Sequence, residues 1–251
     1  MQKPLVEIRN LTKNFHSESN IMTAVKGFSF DIYQADFIAL VGPSGCGKST
    51  VLSMLSGLLK PSSGFYRIND EAANIGYMFQ QDNLFPWLNI WDNATLGLKI
   101  KKDTSKEDFD RVEKLLYEYD LKDFLNSFPN ELSGGMRQRV ALVRTLALNP
   151  NILLLDEPFS ALDYQTRLAI NEDISNIINK EKKTAILVTH DLSEAISMAD
   201  KIIVLSKRPA TIKKVYDIKL SIDSISPIEK RKAKEFSKYY EDIWKELDVH
   251  V

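Results

Sequence analysis

Cysteine is almost absent: Cys46 stands alone in 251 residues, so no disulfide can form within the chain, and a reducing cytoplasm is the expected setting. Charge of one sign is not in excess either. Lys and Arg total 33 against 34 Asp and Glu, which removes the basic field that holds proteins on polynucleotides or anionic lipid, so no nucleic-acid partner is expected. Long hydrophobic runs are missing as well. Those at Ile152 to Leu155 and Ala185 to Val188 have strand length, far below the ~20 apolar residues that span a bilayer, so the chain does not cross a membrane alone. Met1-Gln2-Lys3-Pro4-Leu5 lacks the apolar core of a secretory leader, and no internal repeat or low-complexity tract is visible. What remains is enough chain for one large domain, or one domain with an appendage, burying about three quarters of its unfolded surface without staples.

Two kinds of strand are legible. Leu5 to Arg9 and Phe28 to Ile32 alternate with period two, which predicts an N-terminal antiparallel β layer with one covered face. Asp36 to Val41 is instead continuously apolar, then breaks into a Gly-rich loop and a helix through Thr50 to Leu55. Asn151 to Leu155, Thr184 to Thr189 and Lys201 to Leu205 read as further buried parallel strands. A helix between the first two carries Ile170, Ile174, Ile177 and Ile178 on one face. The stretch from Lys48 to Asp156 is longer than one crossover needs, which predicts an inserted helical subdomain at about 91–149. Within it Ser105 to Asp108 form a capping box, and Phe109, Val112, Leu116 and Tyr119 follow at helical spacing. The fold class is therefore α/β: a mostly parallel core sheet over 4–226 with the N-terminal antiparallel β layer and the inserted helical subdomain. A tail at 227–251 carries Phe236, Tyr240, Ile243, Trp244 and Leu247 as the apolar stripe of a charged helix, either packed on the core or open to a partner.

The chemistry starts at Gly42-Pro43-Ser44-Gly45-Cys46-Gly47-Lys48-Ser49-Thr50, which fits G-x-x-x-x-G-K-[ST] with a strand before it and a helix after it and makes the α/β core that of a P-loop NTPase. Glycines turn backbone N–H groups inward, so amides and a helix N-terminus surround anionic phosphates. Lys48 adds a point charge at the β- and γ-phosphates, Ser49 offers its hydroxyl to Mg²⁺, and Thr50 supports the neighbouring phosphate. Cys46 reads as a small filler whose place near a helix N-terminus would make it open to thiol reagents. Asp156, closing an apolar strand, is placed to hold Mg²⁺ through water. Glu157 beside it is the expected general base for in-line attack of water on the γ-phosphate. Ser133-Gly134-Gly135 opens another helix, either as a simple N-cap or by offering a hydroxyl, amides and a positive dipole end to a phosphate.

Leu132-Ser133-Gly134-Gly135-Met136, Ser160-Ala161-Leu162-Asp163 after Pro158, and Thr189-His190-Asp191 occur in an order that resembles the nucleotide-binding subunit of an ABC transporter over roughly residues 4–215. The resemblance implies an ATP- and Mg²⁺-dependent ATPase in which two copies face head to tail and the Ser133 helix of one caps the ATP of the other. It implies that Gln80 touches Mg²⁺ and water and senses the membrane partner, with Gln81 as the alternative register. His190 would contact the γ-phosphate, Asp163 would link the two sites, and Phe15 would stack on adenine unless it packs in the core. Phe79 to Trp87 and Ser206-Lys207-Arg208-Pro209-Ala210 are similar to importers of nitrate, sulfonates and taurine. Such a subunit lies on the cytoplasmic face of the membrane, binds integral permease subunits, and depends indirectly on an extracytoplasmic solute-binding protein. Leu84, Phe85 and Trp87 would form an apolar cleft for a permease helix, with burial of Phe85 inside the helical subdomain as the alternative. An exporter subunit of the same family is the second expectation. A soluble ABC protein would bring coiled-coil arms, zinc cysteines or a second cassette, and a small-molecule kinase has no use for the Ser133 motif.

Overall fold

A computed structural model describes residues 3–17, 20–101, 104–159 and 162–247 and divides into two compact units, Met1–Ala73 with Asn171–Val251, and Asn74–Ile170. The first unit begins with two long strands, β1 (Val6–Ser17) and β2 (Asn20–Ile32), paired antiparallel, followed by β3 (Phe37–Val41) and α1 (Lys48–Leu55). β4 (Ser63–Ile68) then pairs antiparallel with the other edge of β1, so the N-terminal layer is a three-stranded sheet in the order β2-β1-β4. Period-two alternation is visible in burial: Val6 and Ile8 are buried on β1 and Phe28 and Ile32 on β2, while Ser29 is exposed; an irregularity in the β1–β2 register after Ile8 moves the next buried residue to Leu11.

The second unit holds β5 (Ile75–Met78), then α2 (Ile90–Ile100), α3 (Lys106–Glu118) and α4 (Gly134–Leu146), and β6 (Ile152–Asp156), which pairs parallel with β5. Each helix begins on a residue able to accept from its first turn. Asn89 accepts the Asp92 N–H at 2.7 Å, and Ser105 and Asp108 bond reciprocally in the capping box read from the sequence. Val112, Leu116 and Tyr119 are buried as the helical spacing requires, and Phe109 meets Trp91 with ring centroids 6.4 Å apart.

After α5 (Tyr164–Lys180) the chain returns to the first unit with β7 (Thr184–Val188), α6 (Leu192–Met198), β8 (Lys201–Leu205) and β9 (Ile212–Asp217). β3 lies between β7 and β8 and runs parallel to both. All five residues of β3 and of β7 are buried, as an unbroken apolar run with both faces covered demands. On α5, Ile170, Ile174 and Ile178 are buried, whereas Ile177 is half-buried at the margin of the stripe.

Three strands, β4, β5 and β9, are additions to the sequence reading. β4 is mostly exposed, and β9 pairs antiparallel with β8 as a charged edge carrying Lys213 and Lys214. The chain then forms α7 (Pro227–Lys230) and α8 (Phe236–Glu246). Ile243 of α8 is buried, and Tyr239 donates to the Asp217 carbonyl at 3.1 Å. Lys213 and Lys214 pair with Glu246, and the hydrogen bonds that Lys214 donates to Tyr216 and Glu246 raise its pKa. The tail is thus fastened to β9, while Tyr240 and Trp244 stack on each other with their outer faces exposed.

Candidate nucleotide site

Gly42 to Gly47 connect β3 to α1 as a tight loop. Gly47 caps α1 with φ +130°, and a Cβ there would stand 2.8 Å from the Ala24 carbonyl oxygen, so the position tolerates only glycine. A glycine cap has no side chain to accept from the first-turn amides, which leaves that task to an anion. Lys48 is buried at 6% exposure, and its Nζ donates to the Gly42 carbonyl at 2.9 Å and the Pro43 carbonyl at 3.2 Å, which fixes the ammonium within the loop. Ser44, Gly45 and Ser49 are exposed, Pro43 and Thr50 half-buried. Cys46 fills the loop's floor at 2% exposure, beneath Gly42, and burial pushes its thiol pKa up. The expected reactivity of Cys46 toward thiol reagents is therefore corrected: a covered, protonated thiol is a poor nucleophile.

β7 runs parallel to β3 with Val188 opposite Leu40, so His190 leaves the same sheet edge as Gly42, each two residues beyond the pair. Asp191 does local work beside it, accepting the Ser193 and Glu194 N–H groups at 2.8 and 3.2 Å as the cap of α6. His190 itself is exposed at that edge. Phe15 pairs with Met22 across β1 and β2, is 36% exposed, and has the Lys13 ammonium 5.3 Å from its ring centroid. Core packing is therefore not its role.

In the second unit the same parallel geometry repeats. Met78 lies opposite Leu155, and two residues on from each stand Gln80 and Glu157. Gln80 Nε2 donates to Glu157 Oε2 at 3.4 Å, which selects Gln80 over Gln81 as the residue beside the carboxylate. Asp156 is 7% exposed and accepts from the Tyr77 hydroxyl at 3.1 Å. Glu157 holds φ +44°, a left-handed conformation that costs a non-glycine residue free energy and turns its side chain sharply off the strand.

Ser133 opens α4, its Oγ accepting the Met136 N–H at 3.3 Å, with Ser133 and Gly134 exposed. A Cβ on Gly135 would stand 3.0 Å from Thr166 Cγ2, so the small residue lets the start of α5 come close. There Asp163 accepts from the Thr166 N–H at 3.0 Å and the Thr166 hydroxyl at 2.6 Å, and these bonds hold its carboxyl below the ordinary range. Ser160 and Ala161 of the same motif lie outside the described residues.

Three side chains of α4 reach the segment that begins at Gln80, and the sequence assigned none of them a role. Arg137 Nε donates to Asp82 Oδ2 at 3.0 Å, and Gln138 Nε2 to the Gln80 carbonyl at 3.2 Å. Arg144 donates to the Asp82 and Asn83 carbonyls at 2.6 and 2.7 Å. Arg137 and Arg144 are seven residues apart, two turns along one helix face, a spacing that signals a shared target. Replacing Arg144 with Ala leaves two carbonyls without their charged donor, one on Asn83 at φ +47°. The expected loss is about 2 kcal/mol of stability in urea denaturation, with ATP affinity retained; a stability equal to wild type would refute the assigned hold.

Further along, Leu84 is buried, correcting its expected exposure, while Phe85 and Trp87 are exposed at 36% and 69% with rings 5.2 Å apart. Asn93, fully buried, holds this turn: it accepts the Phe85 N–H at 2.8 Å and donates to the carbonyls of Phe85, Leu88 and Asn89. Trp87 is thus presented on a fastened turn.

A family profile described as "ABC transporter" matches residues 25–160. An uncharacterized ABC transporter ATP-binding protein of Bacillus subtilis, YtlC, is 45% identical over 248 residues, covering 97% of this chain and 95% of that one. The nitrate import ATP-binding protein NrtD of Synechocystis is 37% identical, with 95% and 93% covered. An aliphatic sulfonates import ATP-binding protein of Bacillus cereus, SsuB, is 39% identical, with 86% of each covered. Among solved structures, a dimeric ATP-binding cassette in a post-hydrolysis state with ADP and Pi superposes with a TM-score of 0.77 at 33% identity, covering 85% of this chain and 99% of that one.

Proposed function

We infer that this chain, which belongs to the ABC transporter family of ATP-binding subunits, drives an importer for a small anionic solute of the nitrate or sulfonate type. As a member it binds ATP and is an ATPase coupled to transport. The observation that carries the importer reading is the near full-length match to nitrate and sulfonate import subunits, joined to a fastened, exposed Phe85–Trp87 pair. Such a rigid aromatic pair suits a groove for an amphipathic helix of a permease.

In this reading the Gly42 to Thr50 loop cradles the triphosphate, and Phe15, exposed on β1, stacks on adenine. Mg²⁺ suits the chemistry of these donors: the Ser49 hydroxyl and the Gln80 amide oxygen, which remains when Nε2 is turned to Glu157, would ligate it, and the Asp156 carboxylate would hold it through a water. The cation would neutralise phosphate charge. Glu157 accepts the proton of the attacking water, oriented by Gln80, while His190 contacts the γ-phosphate. Two copies face head to tail, Ser133 to Gly135 of one completing the site of the other, with Asp163 between them. A dimeric cassette of similar fold supports that arrangement. ATP closes the dimer and turns the permease outward, and hydrolysis resets it. Residues 91–149 serve as the helical subdomain, 227–251 as a tail. An extracytoplasmic binding protein delivers the solute, and the subunit sits on the cytoplasmic face; among the described residues no helix is long and apolar enough to cross a membrane.

The test is purification of a tagged chain from its native membrane. An integral permease is expected to co-purify, and Trp87→Glu is expected to lose it by at least about tenfold while binding ATP normally. A permease complex indifferent to Trp87→Glu would dispose of the docking surface.

A further inference from the structure

The Ser206-Lys207-Arg208-Pro209-Ala210 turn, between β8 and β9, has no part in the chemistry described so far. Its construction is tight. The Ser206 hydroxyl accepts the Thr211 N–H at 3.0 Å and lies 2.9 and 3.1 Å from the Lys207 and Pro209 carbonyls, while the Ser206 N–H donates to the Thr211 carbonyl at 3.0 Å. Ala210 then fastens the turn to β2: its N–H donates to the Ala24 carbonyl at 2.8 Å, and its carbonyl accepts the Lys26 N–H at 2.9 Å. This platform abuts the phosphate loop at two glycines. Ala210 Cβ would lie 3.3 Å from a Cβ on Gly47. Arg208 reaches Gly45, with Nε and Nη2 donating to its carbonyl at 3.1 and 2.5 Å, while Nη1 donates to Met22 Sδ at 2.9 Å.

Gly45 has φ +69°, and glycine's freedom makes its peptide the easiest in the loop to rotate. A flip of the Gly45–Cys46 peptide would swing a carbonyl oxygen from the Arg208 side toward the bound phosphates, replacing a donor with a partial negative charge. Two charge-assisted bonds from a planar guanidinium oppose that flip. We propose that Arg208 is a positioning residue of the phosphate loop: it holds the Gly45 carbonyl on the side of the 206–211 turn and so preorganises the loop for the phosphates shared by ATP and ADP. This rests on the reading of Gly42 to Thr50 as the phosphate cradle. Preorganisation lowers the ordering cost of binding, so the effect falls on affinity and not on the chemical step.

The experiment uses the full chain with Arg208→Ala, Arg208→Lys and, as a separate control, Lys48→Ala. Affinities for ATP and ADP are measured by calorimetry, KM and kcat by phosphate release, and folding by thermal melting. Arg208→Ala is expected to weaken both nucleotides about tenfold and raise KM to match, with kcat within about twofold of wild type and the melting temperature unchanged. Arg208→Lys, which keeps the charge and loses the fork, is expected to recover less than half of that loss. Wild-type affinity in Arg208→Ala, full recovery in Arg208→Lys, or a fall in kcat at constant affinity would each overturn the proposal. If Arg208→Ala melts early, Arg208→Lys decides alone: wild-type affinity in it overturns the proposal, and weakened affinity for both nucleotides supports it. Loss of binding in Lys48→Ala with no effect at Arg208 rejects this inference and keeps the cradle; unchanged binding in Lys48→Ala rejects the cradle itself.

Discussion

Glu157→Gln is expected to bind ATP with close to wild-type affinity and to release phosphate at least about 100-fold more slowly. The substitution isolates one property. Gln80 Nε2 donates to Glu157 Oε2, and a glutamine at 157 keeps an oxygen able to accept that bond, so the residue after β6 need not move. Side-chain volume and the left-handed backbone at φ +44° are likewise retained. What disappears is a carboxylate able to take a proton from water. If positioning by Gln80 and metal were sufficient, turnover would survive; if proton acceptance by Glu157 is required, ATP accumulates uncleaved. Size-exclusion chromatography with light scattering is then expected to report a stable ATP-bound dimer, because the proposed cycle places closure before hydrolysis. Rapid phosphate release by the variant would remove Glu157 as the base, and a monomer with ATP uncleaved would separate the base assignment from the shared-site arrangement.

The parts of this molecule that were legible in its sequence are those whose signal is local. β3 and β7 are unbroken apolar runs because both faces are covered, and the Gly42 to Lys48 loop demands residue types that few other structures need. Ser105 and Asp108 announce a helix start because the bonds that cap α3 are made within four residues. Illegible were the features whose reason lies far along the chain. β4 is a short, exposed strand that forms only because β1 offers it an edge, and the charged β9 joins β8 in the same way. Arg144 reads as an ordinary solvated cation of α4 until the Asp82 and Asn83 carbonyls appear opposite it. Leu84 shows the same limit from the other side: within a run of apolar residues, nothing local tells which one turns inward while Phe85 and Trp87 turn out. Asn93, a polar residue with full burial, is explained only by the four groups of the turn it satisfies.

Lys48→Ala carries the other large expected effect, and it separates binding from stability. Lys48 Nζ bonds the Gly42 and Pro43 carbonyls, so its removal loosens the loop by about 1 kcal/mol for each bond, a loss felt without any nucleotide. The loss with nucleotide is larger. An ammonium about 4 Å from a phosphate oxygen in a partly screened site contributes on the order of 4 kcal/mol of attraction, part of it spent on desolvation, so ATP affinity should fall about 100-fold. A ligand that binds only the folded state stabilises it in proportion to the logarithm of its concentration over its Kd. Wild type should therefore melt well above its nucleotide-free temperature when ATP is added at about 100 times Kd, a gain of about 2.7 kcal/mol. Lys48→Ala at the same ATP concentration should gain only about 0.4 kcal/mol, so its melting curve barely moves. The comparison between curves with and without ATP cancels the loosened loop, leaving the ammonium's part in binding. Equal shifts in the two proteins would mean that the nucleotide does not meet Lys48, and the phosphate loop would lose its assignment.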